Sequence, residues 1–103
     1  MPDTTSSSLN VLLVDDTPAN LLALEAVLEP LGVALHRSPS GQDACERVAK
    51  CDYAVILLDV RMPTMDGFET AARIRATARS AATPIIFLTA QPDTEAGVLD
   101  QVY

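Results

Sequence analysis

The chain has 103 residues, enough for one domain with a hydrophobic core and little surplus stability. Hydrophobic residues make up 49% of it and aromatic residues 4%, which favours a core of aliphatic side chains in packed helices and parallel strands. The formal charge of -7 disfavours nonspecific binding to nucleic acid or anionic lipid, and it favours metal ions or basic protein surfaces as partners.

The start of the chain and the cysteines indicate the compartment. Residues 1–8 are typical of a disordered lead-in, so we expect the domain to span residues 9–103. This start lacks the basic and apolar segments of a signal peptide, and no apolar run approaches the roughly 18 residues of a membrane span. Cys45 and Cys51 are too few for a disulfide framework or a zinc site, and we interpret them as free thiols. We therefore expect a cytoplasmic protein without a membrane contact.

The first predicted element is a short strand buried on both faces, Val11–Val14, which is followed at once by Asp15 and Asp16. An amphipathic helix comes next, with Thr17 as a candidate cap and Gly32 as its stop. Its apolar positions recur at spacings of three and four: Leu21, Leu24, Leu28 and Leu31.

A second strand is predicted over Val33–Ser38. It is shorter and more polar than the first, so we place it near an edge of the sheet. Ser40 and Asp43 have the spacing of a helix cap and a first-turn acid, and they predict a helix that continues to about Lys50.

The most apolar strand is "YAVILLD", residues 53–59, which we expect at the centre of the sheet with Asp59 at its end. A loop with proline and glycine follows, and Asp66 and Glu69 then have capping-box spacing. The predicted buried face of this third helix is formed by Phe68, Ala71, Ile74 and Ala78.

The fourth strand is predicted in "PIIFLTA", residues 84–90, and a fourth helix in residues 93–103. Strands and helices thus alternate with short links, which predicts an α/β fold, a doubly wound parallel sheet with helices on both faces. Ligands of such sheets bind beyond the carboxyl ends of the strands.

Polar side chains follow three of the four predicted strands at that edge: Asp15, Asp16, Asp59 and Thr89. Three carboxylates brought together repel one another unless a cation balances them. Mg²⁺ suits them because it prefers oxygen ligands and keeps waters or phosphate oxygens in its shell. Asp59 is then a candidate nucleophile that would form an aspartyl phosphate.

Each of these residues also has a purely structural interpretation. Asp15 or Asp16 alone is more often a helix cap or a solvated acid, and Asp66 is best interpreted as the cap of its helix. Thr89 alone is explained as a hydroxyl at a strand end. The joint pattern, acids after two strands and a hydroxyl after a third, favours a functional site.

Three segments together resemble the receiver domain of two-component response regulators: "LLVDDTPAN", "VILLDVRMPTMDGFE" and "PIIFLTA". They occur in the order and at the spacing of that family, and the similarity runs from about Asn10 to the last residue. "TPANLLALEAVLEPLG" is most similar to receivers attached to sensor kinases. The resemblance implies a flavodoxin-like fold with the strand order 2-1-3-4 and about four helices.

The resemblance also implies a role for each matching residue. Asp59 corresponds to the phosphoacceptor, and Asp15 and Asp16 correspond to the acidic pair that holds Mg²⁺ together with the backbone carbonyl of Arg61. Thr89 corresponds to the switch hydroxyl that bonds the new phosphoryl group. The implied donor is a phosphohistidine on a histidine kinase or a phosphotransfer domain, or a small phosphodonor, and the domain itself is not an enzyme.

The sequence departs from the family at its end, because a fifth strand with a lysine and a fifth helix have no counterpart in it. Lys50, the only lysine, belongs to the second helix. We therefore expect a truncated receiver with impaired phosphorylation, marginal as a monomer. We also expect self-association, as a homodimer or larger, through the open edge of the fourth strand or the adjacent helix.

Two other functions compete with the phosphoacceptor. A pure interaction or dimerisation domain that is no longer phosphorylated is the stronger alternative. A Mg²⁺-dependent phosphatase of the haloacid dehalogenase type is remote, since that family wants Asp-x-Asp after its first strand and this chain has adjacent Asp15 and Asp16.

Overall fold

A computed structural model describes residues 9–88 of the chain. Within them, four strands alternate with three α-helices and two short 3-10 turns. The strands are β1 Asn10–Val14, β2 Ala34–Ser38, β3 Val55–Asp59 and β4 Ile85–Leu88. The helices are α1 Pro18–Leu28, α2 Gly41–Val48 and α3 Gly67–Ala76, and the 3-10 turns cover Glu29–Leu31 and Ala78–Ser80. The lead-in expected over residues 1–8 and the helix predicted over residues 93–103 lie outside the described residues.

The four strands form one sheet in the order β2-β1-β3-β4, and all neighbouring pairs are parallel. This confirms the predicted α/β class and strand order, with the polar second strand at an edge and the apolar third strand in the interior. The chain moves outward from β1 to β2 and then returns past β1 to β3. The carboxyl ends of β1 and β3 therefore form the switch point at which ligands of such sheets bind.

Side chains alternate along each strand between two apolar layers. One layer joins the sheet to α2 and α3 and contains most of the fully buried side chains: Leu12, Val14, Ala44, Val48, Ile56, Leu58, Ala71, Ile74, Ile85 and Phe87. The other layer joins the sheet to α1 through Val11, Leu13 and Leu21. Burial of each large aliphatic side chain contributes about 1.5 to 3 kcal/mol. The central strands are thus anchored on both faces up to the last residue before each aspartate.

Three residues that were predicted on the apolar faces of helices are exposed or half-exposed, so these predictions are wrong. Leu31 is 69% exposed, because α1 ends at Leu28 and the 3-10 turn that follows does not keep the helical period. Phe68 is half-exposed at the start of α3, where its ring packs on Phe87 with 4.9 Å between the centroids. Ala78 is exposed because it lies beyond α3, in the second 3-10 turn.

The local signals for α2 are confirmed. The side chain of Ser40 accepts a hydrogen bond from the backbone N–H of Asp43 at 3.0 Å, as the cap pattern predicted. The helix ends at Val48, two residues before the predicted end at Lys50. Gly32 has a φ of 73°, the left-handed conformation that favours glycine at the end of a helix.

Two further findings concern the state of the cysteines and the length and hydropathy of the helices. Cys45 and Cys51 are half-buried free thiols, in agreement with their interpretation from the sequence. Within residues 9–88, no helix combines the length and the hydropathy needed to cross a bilayer.

Candidate metal centre

The three aspartates meet at the carboxyl edge of the two central strands. Val14 of β1 lies opposite Leu58 of β3, so Asp15 and Asp59 follow at the same level of the sheet. Asp15 is 4% and Asp59 7% exposed, whereas the side chain of Asp16 is open to solvent. One carboxylate oxygen from each residue lies within 4.8 Å of the others. The sequence prediction that these acids come together is confirmed.

Asp15 makes three hydrogen bonds at the junction of β1 and α1. Its backbone N–H donates to the carbonyl of Ser38 at the end of β2, at 3.0 Å. Its carboxylate accepts hydrogen bonds from the backbone N–H of Thr17 at 2.9 Å and from the Asn20 amide at 3.1 Å. Thr17 occupies the predicted cap position of α1, but its side chain makes no capping hydrogen bond. Asp15 thus satisfies a donor at the start of α1 and also belongs to the acidic cluster.

The environment of Asp59 opposes its negative charge. Burial, with the neighbouring charges of Asp15 and Asp16, raises the pKa of Asp59 from 3.8 to about 6. Burial is the largest cause, and the backbone N–H groups of Arg61 and Val60 oppose the rise. The charge of Asp59 is therefore costly in this environment, although the carboxyl remains largely ionised near neutral pH.

The loop after Asp59 brings the start of α3 directly against the backbone of β3. The N–H of Gly67 donates to the carbonyl of Val60 at 2.9 Å. A Cβ at Gly67 would overlap the carbonyl oxygen of Asp59 and would lie 2.8 Å from the Cα of Val60. The carboxylate of Asp66 accepts the N–H of Glu69 at 2.8 Å, which confirms the predicted cap of this helix. The position of Asp59 thus depends on the close approach of Gly67 to the backbone of Asp59 and Val60.

Thr64 carries backbone strain in this loop. It is exposed and has a φ of 70°, a conformation that is strongly unfavourable for a β-branched residue. We expect Thr64→Gly to raise the free energy of unfolding by about 1 kcal/mol, because glycine adopts this conformation without a steric cost. Urea unfolding of the two proteins measures the difference. An unchanged midpoint would mean that Thr64 is not strained.

The other predicted site residues have different outcomes. Arg61 is exposed two residues beyond Asp59, and the role of its carbonyl as a metal ligand stays a prediction. Thr89 lies outside the described residues. Lys50 lies just beyond α2, which ends at Val48, and not within that helix as predicted; it is at the amino-terminal edge of the sheet, opposite to the aspartates.

Two residues of the site were not singled out from the sequence. Asn20 and Ser38 both bind Asp15, one through its side-chain amide and the other through its backbone carbonyl. A polar residue in the first turn of the helix, close in sequence to the acidic pair, was the available signal for Asn20. Ser38 had no signal, because any residue at the end of β2 would offer the same carbonyl.

The residues present fit a magnesium ion. Their donors are carboxylate oxygens, the ligands that Mg²⁺ prefers, and Mg²⁺ is commonly held by one or two carboxylates with waters completing its shell. Three such groups lie within 4.8 Å of one another. Burial, and after it repulsion by Asp15 and Asp16, raises the pKa of Asp59, and a divalent cation would relieve the repulsion.

The comparison with known families agrees with the doubly wound sheet and the three acids at its switch point. The family model described as "Response regulator receiver domain" matches residues 11–99. The chain therefore belongs to the receiver domain family of two-component systems, as the motifs indicated.

Curated relatives come from several bacteria. The gliding motility regulatory protein of Myxococcus xanthus is 37% identical over 94 residues, covering 89% of this chain and 12% of that protein. The signal transduction histidine-protein kinase BarA of Escherichia coli is 35% identical over 88 residues, covering 85% of this chain and 10% of the kinase. The chain thus spans about a tenth of the length of these relatives.

Solved structures share the fold. Chemotaxis protein CheY4 of Vibrio cholerae has a TM-score of 0.78 at 30% identity, covering 86% of this chain and 74% of that one. The receiver domain of a sensor histidine kinase from Pseudomonas aeruginosa has a TM-score of 0.78 at 33% identity, covering 87% of this chain and 74% of that one. That structure was solved with a magnesium ion coordinated in its active-site cleft.

Proposed function

We propose that this chain accepts a phosphoryl group on Asp59 as the receiver of a two-component phosphorelay. The observation that carries the proposal is the meeting of the three carboxylates within 4.8 Å at the switch point of the sheet. In this proposal Asp15, Asp16, Asp59 and the backbone carbonyl of Arg61 hold Mg²⁺. The magnesium ion in the Pseudomonas aeruginosa receiver supports that assignment.

The chemistry follows from the position of Asp59. An ionised carboxylate oxygen of Asp59 attacks phosphorus, and the bond from phosphorus to the donor breaks with its electron pair on the leaving group. With a phosphohistidine donor, the imidazole nitrogen leaves and takes a proton from solvent. Burial limits the access of water to Asp59, and its place as the last residue of β3 puts the carboxylate at the edge of the sheet. Bound Mg²⁺ would supply positive charge to balance the transferring phosphoryl oxygens.

The donor in this proposal is a phosphohistidine on a histidine kinase or a phosphotransfer domain. The relatives named as histidine kinases and sensor proteins support it, because their matching segments are parts of such proteins. The net charge of -7 also favours a protein partner over nucleic acid.

Three finer predictions belong to the same proposal. Thr89 would act as the switch hydroxyl that bonds the phosphoryl group. The protein would work in the cytoplasm. It would self-associate through β4 or the adjacent helix. The sheet supports this prediction, because β4 pairs with β3 on one side and, within residues 9–88, no strand pairs with its outer edge.

Intact mass spectrometry after incubation with Mg²⁺ and acetyl phosphate tests the proposal. We expect the native chain to gain the mass of one phosphoryl group, in an adduct that survives acid and is lost in base. Asp59→Asn should gain nothing, since the amide is not a nucleophile. Asp52→Asn is the matched control, because Asp52 is exposed and its carboxylate accepts a hydrogen bond from Arg79 at 2.9 Å. It should be labelled like the native chain.

Two results would contradict this assignment. An adduct that persists in Asp59→Asn would place the phosphoryl group on another residue. Absence of an adduct on the native chain would favour the interaction domain, in which the acidic cluster is retained without phosphorylation.

A further inference from the structure

Within residues 9–88, Asn20 is the one residue whose side chain donates a hydrogen bond to the Asp15 carboxylate. Asn20 lies in the first turn of α1, where its backbone N–H donates to the carbonyl of Thr17 at 3.0 Å. Its side-chain nitrogen donates to Oδ2 of Asp15 at 3.1 Å, and the N–H of Thr17 donates to Oδ1 at 2.9 Å. Each carboxylate oxygen of Asp15 thus receives one hydrogen bond from the start of α1.

These two bonds matter because Asp15 is buried among like charges. It is 4% exposed, so water has little access to stabilise its carboxylate. Asp16 and Asp59 lie within 4.8 Å of it and repel it. Rotation of the carboxylate away from its neighbours would relieve the repulsion. The two donors, one on each oxygen, prevent that rotation and keep the carboxylate plane fixed.

We infer that Asn20 is a positioning residue for magnesium, because it holds the Asp15 carboxylate within reach of Asp16 and Asp59 before the ion arrives. The inference rests on the proposed magnesium site and deepens it. Asn20 does not touch the ion; it acts through Asp15. Hydrogen-bond partners of metal ligands act in this way in many sites, and their removal typically costs 10- to 100-fold in metal affinity.

Loss of the hydrogen bond between Asn20 and Asp15 should weaken metal binding without unfolding the protein. Asn20 is exposed, and its amide contributes one hydrogen bond at the surface of the helix. The metal-free fold should therefore tolerate its loss, since asparagine is also a weaker helix former than alanine. The Thr17 bond comes from the backbone and remains in every variant. Loss of the amide should thus weaken the affinity for the ion by about tenfold and leave the rate of phosphorylation at saturating Mg²⁺ unchanged.

Metal affinity is measured by electron paramagnetic resonance of free Mn²⁺, with Mg²⁺ as competitor, on the full chain. Asn20→Ala removes the amide, and Asn20→Leu removes it while keeping a side chain of similar size. Gln42→Ala is the matched control, since Gln42 is an exposed amide in the first turn of α2 that donates to Glu46 at 3.5 Å, outside the acidic cluster. We expect both Asn20 variants to lose affinity about tenfold and Gln42→Ala to keep it.

A second measurement excludes a merely structural role. The rate of adduct formation with acetyl phosphate is recorded against the Mg²⁺ concentration for the same proteins. The Asn20 variants should need about tenfold more Mg²⁺ for half-maximal rate and should reach the native rate at saturation. Urea unfolding in EDTA should show cooperative transitions for all of them.

The possible contradictions are distinct. If either Asn20 variant binds Mn²⁺ as tightly as the native chain, or if Gln42→Ala loses affinity to the same extent, the inference is wrong. A lower rate at saturating Mg²⁺ with an unchanged affinity would also overturn it. If the native chain binds no Mn²⁺, the proposed magnesium site itself fails.

Discussion

Gly67→Ala is expected to lower the free energy of unfolding by about 3 kcal/mol, the upper range for an added methyl group in a packed region. The new Cβ would overlap the carbonyl oxygen of Asp59 and would lie 2.8 Å from the Cα of Val60. These are backbone atoms, so no side-chain rotation relieves the clash. Alanine gains about 1 kcal/mol over glycine in a helix interior, which is too little to offset the overlap. The start of α3 must therefore move away from β3.

Gly41→Ala is the matched comparison, because Gly41 also begins a helix at the same edge of the sheet. Its added Cβ would meet side-chain atoms, Oγ1 of Thr70 and Sδ of Met65, and no backbone atom is among its nearest contacts. We expect a loss of about 1 to 2 kcal/mol for this variant, measured with Gly67→Ala by urea unfolding. Equal stability of Gly67→Ala and the native chain would show that the loop does not need the close approach.

The same substitution tests the geometry of the site. A displaced α3 carries the loop with it, and that loop supplies the backbone N–H groups of Val60 and Arg61 that interact with Asp59. Gly67→Ala should therefore also slow adduct formation on Asp59. Gly41→Ala, whose clash involves side chains alone, should keep more of the rate.

The meeting of the acids was predictable from the residues for a simple physical reason, whereas the strand order followed from the resemblance to the receiver family. Aliphatic runs that stop on an aspartate, such as Val55–Asp59 and the strand before Asp15, mark both a buried strand and its carboxyl end. In a parallel sheet those ends share one edge. The caps at Ser40 and Asp66 were equally readable, because a cap depends on residues three positions apart.

What could not be predicted depends on contacts between elements. The exposure of Leu31 is an exception, because a local signal was available: α1 ends at Leu28, two residues before Pro30. The clash at Gly67 depends on the distance between α3 and β3, which no local pattern specifies. The bond between Asn20 and Asp15 depends on the angle at which α1 leaves β1.

The difference in depth between the acids also needed the structure. In the sequence, Asp15 and Asp16 are adjacent and equivalent. In the fold, Asp15 is buried and Asp16 is exposed, since successive residues at a strand end face opposite directions. Burial therefore distinguishes the acid that needs fixed hydrogen-bond donors from the acid that water can solvate.

Asp59→Asn is expected to stabilise the metal-free protein near neutral pH, although it removes the nucleophile. The pKa of Asp59 is raised in the folded state to about 6 from an ordinary value of 3.8, so the folded state binds the proton more tightly than the unfolded state. The stability that this proton supplies is complete below about pH 3.8 and is lost as the pH rises through about 6. Above that range, ionised Asp59 destabilises the fold by about 1 to 2 kcal/mol once partial access of solvent is allowed for.

Urea unfolding in EDTA over a series of pH values measures this difference. Because asparagine carries no charge, the gain of Asp59→Asn over the native chain should be about 1 to 2 kcal/mol near neutral pH and should vanish towards about pH 4. Asp52→Asn, which changes an exposed acid at the other edge, is the control for the substitution of an aspartate as such. A gain that stays constant with pH would mean that packing of the amide, and not removal of the charge, is its cause. Mg²⁺ should reduce the difference in the free energy of unfolding between Asp59→Asn and the native chain near neutral pH. A cation bound among the carboxylates stabilises the native chain more than a variant that lacks one of them.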